Sequence, residues 1–323
     1  MNQLKRILIA TIALTLSWAS TAQSSYPDRG VRMIVTWPAG SPLDVAVRAV
    51  SQGITEKLKQ PVIVDNRPGA NGLIGTDIGV RSPADGYTII SGNVETLAIN
   101  PHVYANIKYD PMKDLEPVAM LGKLPLVLMV RSELAASTGN ELVQLARSKP
   151  GKLTYGSWGV GSVGHLGIAM AEQSAGVDML HVPFQGAAPA LSALVGNQID
   201  MMLFTVPYAE QQQKAGKVKL IGASSGARSS VYPHVATLNE QGFRNVNAEQ
   251  WVGFFVPKNT PQNIKDILSK DISSYVASSA GQKTLREIGF DPVIATPAEM
   301  AVMVKADYER WGKLIKDKSV QVK

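Results

Sequence analysis

The chain has 323 residues, of which 45% are hydrophobic and 18% charged, with a formal charge of +6 and no cysteine. That mix is globular and long enough for two domains, or one large one, with a core that needs no staples. The missing Cys excludes disulfides, thiolate metal sites and a cysteine nucleophile; the four His (His102, His165, His181, His234) are too scattered for a local metal-binding pair, so no metal is expected.

Residues 1–22 read as a secretory signal. Lys5 and Arg6 supply the charged start, residues 7–16 an apolar run too short to span a bilayer, and Ser20 and Ala22 the small residues of a cleavage site before Gln23. The alternative is an uncleaved membrane anchor. No later stretch is apolar enough for a membrane helix. The expected mature protein is exported, about 301 residues long, with a charge near +4. From Val31 short apolar runs alternate with amphipathic segments. Strands are expected over 31–37, 62–66 and 87–91, with helices over 43–58 and 73–81 between them. After a loop-rich stretch, 117–121 and 126–130 are extended. A second run places strands at 153–156, 179–183, 199–204 and 218–223, separated by helices at 164–175, 188–194 and 207–215 and preceded by one at 141–148. The tail is helical over 264–278, 280–288 and 297–317. Alternation at this spacing implies crossover units. The fold expected is α/β with two lobes, each a mostly parallel sheet flanked by helices, and a ligand cleft between them. Lobe one would be residues 23–124 plus 225–323, and lobe two residues 125–224.

Charge is thinly spread, with no block of five like charges and no basic stripe, which argues against a nucleic-acid partner. The informative residues lie at strand-to-helix turns, beyond the carboxyl ends of strands, where open α/β sheets bind ligands. In Trp37-Pro38-Ala39-Gly40-Ser41-Pro42-Leu43-Asp44, Ser41 suits an N-cap, Pro42 the first helical position and Asp44 a capping acid. Free N–H groups at this helix start could hold a carboxylate; equally, the turn could be a capped helix with nothing bound. In Arg67-Pro68-Gly69-Ala70-Asn71-Gly72, Arg67 is expected to tie the loop to a protein acid rather than to a ligand.

The third turn, residues 156–165, contains Gly159-x-Gly161-x-x-Gly164 between a strand and a helix. A dinucleotide site wants an acid at the end of the next strand, whereas Asp178 begins it. Without a nucleotide, the glycine N–H groups, Ser157, Ser162 and the helix start make an anion nest. His165 would lie in the first helical turn, either at the ligand or packed under the loop. In the fourth turn Gln185 can donate and accept, and Phe204-Thr205 ends the following strand as a similar candidate. Neither Ser157 nor Ser162 sits in a G-x-S-x-G elbow.

Several dispersed motifs together resemble one family. These are Val35 to Asp44, Asp65-Asn66-Arg67-Pro68-Gly69-Ala70, Asp85-Gly86-Tyr87-Thr88, Tyr155-Gly156-Ser157 with Gly161-Ser162 and His165-Leu166, His181 to Gly186 with Pro189-Ala190, and Trp251-Val252-Gly253. In order, they resemble the Bug (TctC-like) solute-binding proteins of tripartite tricarboxylate transporters. The resemblance implies a periplasmic, two-lobed type 2 binding-protein fold that closes on a small carboxylate without catalysis or cofactor. It implies a membrane permease of a large and a small subunit as partner, and the chain itself is expected to be a monomer. Carried over, Ala39, Gly40, Ser41, Ser157, Gly161 and Ser162 would hold the ligand carboxylate. Ser41, Trp37, Trp158 and Gln185 depart from the residues common in the family. Trp37 and Trp158 add flat apolar surface, which suits an aromatic mono- or dicarboxylate, unless they only pack their loops. His165, Phe204 and Thr205 complete the expected ligand set. The alternatives are an enzyme on the same scaffold, a hydrolase using Ser162 or a dinucleotide oxidoreductase, and a ligand sensor for a membrane receptor.

Overall fold

A computed structural model describes residues 26–322. The signal expected over residues 1–22 lies outside the described residues.

The first crossover run forms as β1 (Val31–Val35), α1 (Pro42–Leu58), β2 (Val62–Asn66), α2 (Leu73–Val80) and β3 (Thr88–Asn93). A π-helical turn, Glu95–Ile99, then leads through α3 (Asn100–Val103) and α4 (Pro111–Asp114) to β4 (Leu115–Leu124). The second run comprises β5 (Leu126–Arg131), α5 (Gly139–Ser148), β6 (Thr154–Ser157), α6 (Val163–Ala175), β7 (Leu180–Pro183), α7 (Ala187–Val195), β8 (Met201–Thr205), α8 (Val206–Lys214) and β9 (Val218–Ala223). Then come β10 (Gln250–Pro257), α9 (Gln262–Ala277), α10 (Ser279–Ile288), β11 (Asp291–Pro292) and α11 (Pro297–Asp317).

The strands make two sheets, ordered β11-β4-β10-β3-β1-β2 and β7-β6-β8-β5-β9. Each is mixed rather than mostly parallel. The crossover strands pair in parallel, β2-β1-β3 and β7-β6-β8, but β10 runs antiparallel between β3 and β4, and β5 runs antiparallel to β8 and β9. The strand β10 is not legible beforehand, because all eight of its residues are buried and its pattern has no alternation. The chain passes between the sheets at 124–126 and again between β9 and β10.

Local chemistry sets the helix starts that face the space between the sheets. Ser41 caps α1, with Pro42 at the first position, and Ser162 caps α6. Packing then fixes the sheets. Val31, Met33 and Val35 of β1 bury with Val47 and Ile54 of α1 and Leu268 and Ile272 of α9. Leu128, Tyr155 and Leu203 bury with Leu166 of α6. The helix α11 crosses back onto β4 and the π-helical turn, with Met300, Val304 and Trp311 buried in the same cluster as the second sheet. Asp307 of α11 accepts the Trp251 indole N–H at 2.7 Å, which anchors β10 to it.

Candidate functional site

A cleft of about 1020 Å³ lies between the two sheets. Its walls are the first loop (36–43) and second loop (68–72) on one side, and 158–160, 183–189 and Phe204-Thr205 on the other; Leu124, Leu126 and Gln250 belong to the crossing. Among the described residues, no Asp, Glu, Lys, Arg or His lines it. Trp37, Tyr104, Trp158, Phe184 and Phe204 give it aromatic faces, with Trp158 edge-on to Phe204 at 6.3 Å.

Of the expected site residues, Trp37, Ala39, Gly40, Ser41, Trp158, Gln185, Phe204 and Thr205 line this cleft. Trp37 is half-buried, and its indole N–H is buried without a hydrogen-bond partner among the described residues. Ser41 is spent as a cap: its Oγ accepts from Asp44 N–H at 3.3 Å, and its own N–H donates to the Pro38 carbonyl at 3.2 Å. The N–H of Gly40 donates to Asp44 Oδ2 at 2.8 Å. Asp44 also accepts from Asn66 Nδ2 at 2.8 Å and Arg48 Nε at 3.0 Å. Burial opposes ionisation of Asp44, but the Arg48, Asn66 and Gly40 donors outweigh it and hold its carboxyl below the usual value. The first nest therefore already carries a protein carboxylate.

Ser157, Gly161, Ser162 and His165 do not line the cleft; all four are buried behind it. Ser157 Oγ lies 2.7 Å from His181 Nε2 and 2.9 Å from the Gly159 carbonyl. Ser162 Oγ donates to the same carbonyl at 2.7 Å and accepts from His165 N–H at 3.2 Å. Gly161 N–H donates to His165 Nδ1 at 3.1 Å. The rings of His165 and His181 stack at 3.8 Å. Burial, helped by the neighbouring His181, pushes His165 down to about 3, and burial pushes His181 down to about 4. Neutral, stacked and capped, this cluster stiffens the third loop from beneath.

Sequence reasoning missed the group that occupies the α6 helix start. Glu95, the first residue of the π-helical turn, is fully buried. Its Oε1 accepts from Val163 N–H and Trp158 Nε1, each at 3.2 Å. Its Oε2 accepts from Gln250 Nε2 at 2.8 Å and Asn93 Nδ2 at 2.9 Å. Burial dominates and raises the Glu95 carboxyl above its usual value, against the opposing hydrogen bonds from Gln250, Val163 and Trp158. A π-helical turn is often found at functional sites, but nothing in residues 92–100 announces one. Asn71 was also missed. Its Nδ2 bridges to the Val160 carbonyl on the opposite wall at 3.1 Å, from a left-handed backbone (φ 50°) that Asn tolerates. Arg67 pairs with Asp65 at 3.0 Å, as its protein-acid reading held.

Three helix starts on the cleft stay uncapped by side chains. They are α2 at Gly72, α7 at Gly186 and α8 at Thr205. Gly186 sits at φ 103°, ψ 174°, a conformation open essentially to glycine alone. At α2 the Gly72 and Leu73 N–H groups already donate to the Gly69 and Ala70 carbonyls, so the starts of α7 and α8, in a cleft whose described lining carries no side-chain charge, are the ones that suit a small anion with an apolar body. Among the described residues no group of three His, Cys, Asp or Glu is placed to hold a metal. The strand β7 is followed by Phe184 and Gln185, so no acid stands where a ribose would need one. Ser162 is committed to Gly159 and the α6 cap.

A family model described as the tripartite tricarboxylate transporter family receptor, TctC, matches residues 46–320. The chain is 30% identical to the protein BugT of Bordetella pertussis, over 98% of this chain and 97% of that one. Among solved structures it is similar to a Rhodopseudomonas palustris protein solved with adipate (30% identity, TM-score 0.82, covering 90% of this chain and 97% of that one). It is also similar to MatC from Rhodopseudomonas palustris, solved with bound malate (28% identity, TM-score 0.78, covering 90% and 100%).

Proposed function

The chain belongs to the tripartite tricarboxylate transporter receptor (TctC) family, and on that premise we propose that it is a periplasmic solute-binding protein for a small organic carboxylate. It delivers that ligand to a membrane permease of a large and a small subunit and catalyses nothing. The observation that carries the reading is the cleft itself: about 1020 Å³, with no charged side chain among the described residues that line it, and faced by helix starts that no side chain caps. Backbone N–H groups can hold a carboxylate there with no counter-ion. The adipate and malate held by the two Rhodopseudomonas relatives are small carboxylates, which supports the class.

In this reading the anion sits against the Gly186 and Thr205 starts, and Ala39, Gln185 and the O–H that Ser41 still has to donate complete the polar contacts. Trp37, Trp158 and Phe204 enclose the body of the ligand, which favours a flat, aromatic one. Ser157, Gly161, Ser162 and His165 act from behind the wall. The lobes divide at residues 23–124 plus 225–323 and 125–224, and capture is closure of one on the other as a monomer. Titrating the purified protein with a panel of carboxylates while following its melting temperature tests the function. A ligand at 100 times its Kd should add about 2.7 kcal/mol, hence roughly 4 °C for a chain of this length. No rise with any carboxylate would count against it.

A further inference from the structure

We propose that Glu95 and Gln250 make the inner end of the cleft a selector: it accepts a ligand with one carboxylate and a hydroxyl or amine at its other end, and rejects a second carboxylate. The proposal rests on the carboxylate reading above and narrows its substrate class.

Glu95 accepts two N–H groups on each oxygen, from Trp158, Val163, Gln250 and Asn93, at 2.8–3.2 Å. That fills the acceptor capacity of an ionised carboxylate, which has nothing to donate. None of the four donors is a cation, so only N–H dipoles and the α6 start offset the charge. The same bond fixes Gln250. Its NH2 must point at Glu95, which turns its carbonyl the other way. Gln250 is 4% exposed and lines the cleft, and its buried Oε1 has no hydrogen-bond partner among the described residues. A buried acceptor left unmade is costly, and an incoming O–H or N–H removes that cost. An incoming carboxylate meets an acceptor instead of a donor, with the buried charge of Glu95 one side chain behind. The α6 helix start that could have received it is already filled by Glu95 itself. Selection here works as much by repelling the wrong group as by pairing the right one.

The test is isothermal titration of the exported protein with two matched sets: hexanoate, 6-hydroxyhexanoate and adipate, then benzoate, 4-hydroxybenzoate and terephthalate. In a set that binds, the hydroxy acid should bind at least tenfold tighter than the diacid. Glu95→Gln should cut that ratio below threefold, and Gln250→Leu should erase the advantage of the hydroxy acid over the plain acid. Melting curves check that both variants fold; should Glu95→Gln fail to, the wild-type ratio and Gln250→Leu decide. A diacid that binds the wild type as tightly as the hydroxy acid would overturn the selector. So would ratios unchanged in the variants. If plain monocarboxylates bind without that preference, the selector alone falls; if no member of either set binds, the carboxylate reading falls with it.

Discussion

Trp158 has two roles that a pair of substitutions can separate. Its ring is part of the cleft wall and lies over Gly164, where an added Cβ would meet the ring at 2.5 Å. Its indole N–H is one of four donors to the buried Glu95. Trp158→Phe keeps a ring and deletes the donor. A hydrogen bond to a charged group contributes about 1.5–3 kcal/mol, and a fully buried Glu95 oxygen is left short of a partner. The variant should therefore lose about 2 kcal/mol in urea denaturation, or roughly 3 °C in melting temperature, while binding of a flat carboxylate weakens less than threefold. Trp158→Ser removes wall and donor together, and should weaken an aromatic carboxylate far more than an aliphatic one. A Trp158→Phe protein as stable as the wild type would refute the role given to the Glu95 cluster. Equal losses of aromatic and aliphatic ligands in Trp158→Ser would remove the ring from the specificity argument.

The stacked His165 and His181 are neutral in the fold, at about 3 and about 4, against 6.5 in the unfolded chain. The unfolded state therefore binds more protons below pH 6.5, so stability should be full above that pH and fall as it drops toward 4, by about 1.4 kcal/mol per pH unit for each proton taken up. Urea midpoints from pH 4 to 7 check this, and a double His165→Gln, His181→Gln variant should flatten the slope. Asp44→Asn removes the negative charge beside the Gly40 N–H and should tighten carboxylate binding about threefold, measured by titration, while lowering stability by about 1 kcal/mol through the lost pairing with Arg48. Asn71→Gly keeps the left-handed backbone but deletes the bridge to Val160; small-angle scattering of the ligand-free protein should show a wider opening at a stability cost of about 1 kcal/mol or less.

What could be read beforehand follows from how local each signal is. Helix starts such as Ser41-Pro42 and Thr296-Pro297 carry their caps within four residues, so α1 and α11 are legible to within a residue. The crossover alternation likewise makes the parallel arms of both sheets legible, but not the antiparallel β5 that lies between β8 and β9. The strand β10 is hidden because a strand covered on both faces looks like any apolar run, and its antiparallel entry is what makes the first sheet mixed. At the site, the loops were legible as loops, but the occupants of their nests were not. Whether Gly40 and Val163 offer their N–H groups to a ligand depends on Asp44, four residues away, and on Glu95, 68 residues away. The first was visible as a capping acid. The second is a lone Glu between Val94 and Thr96, with no pattern around it, brought to α6 only by the meeting of the two sheets. Ser157, Ser162 and His165 carry polar groups at the right turn, yet spend them on His181, on the Gly159 carbonyl and on the backbone N–H groups of the loop itself.

The central claim is that backbone N–H groups in an uncharged cleft recognise a carboxylate. Isothermal titration of the purified protein with a panel of monocarboxylic acids, each run beside its methyl ester, tests it most directly. The account predicts saturable one-to-one binding of at least one acid and none of its ester, which has the same body without the charge. Binding of acid and ester with equal affinity, or of neither across the whole panel, would contradict it.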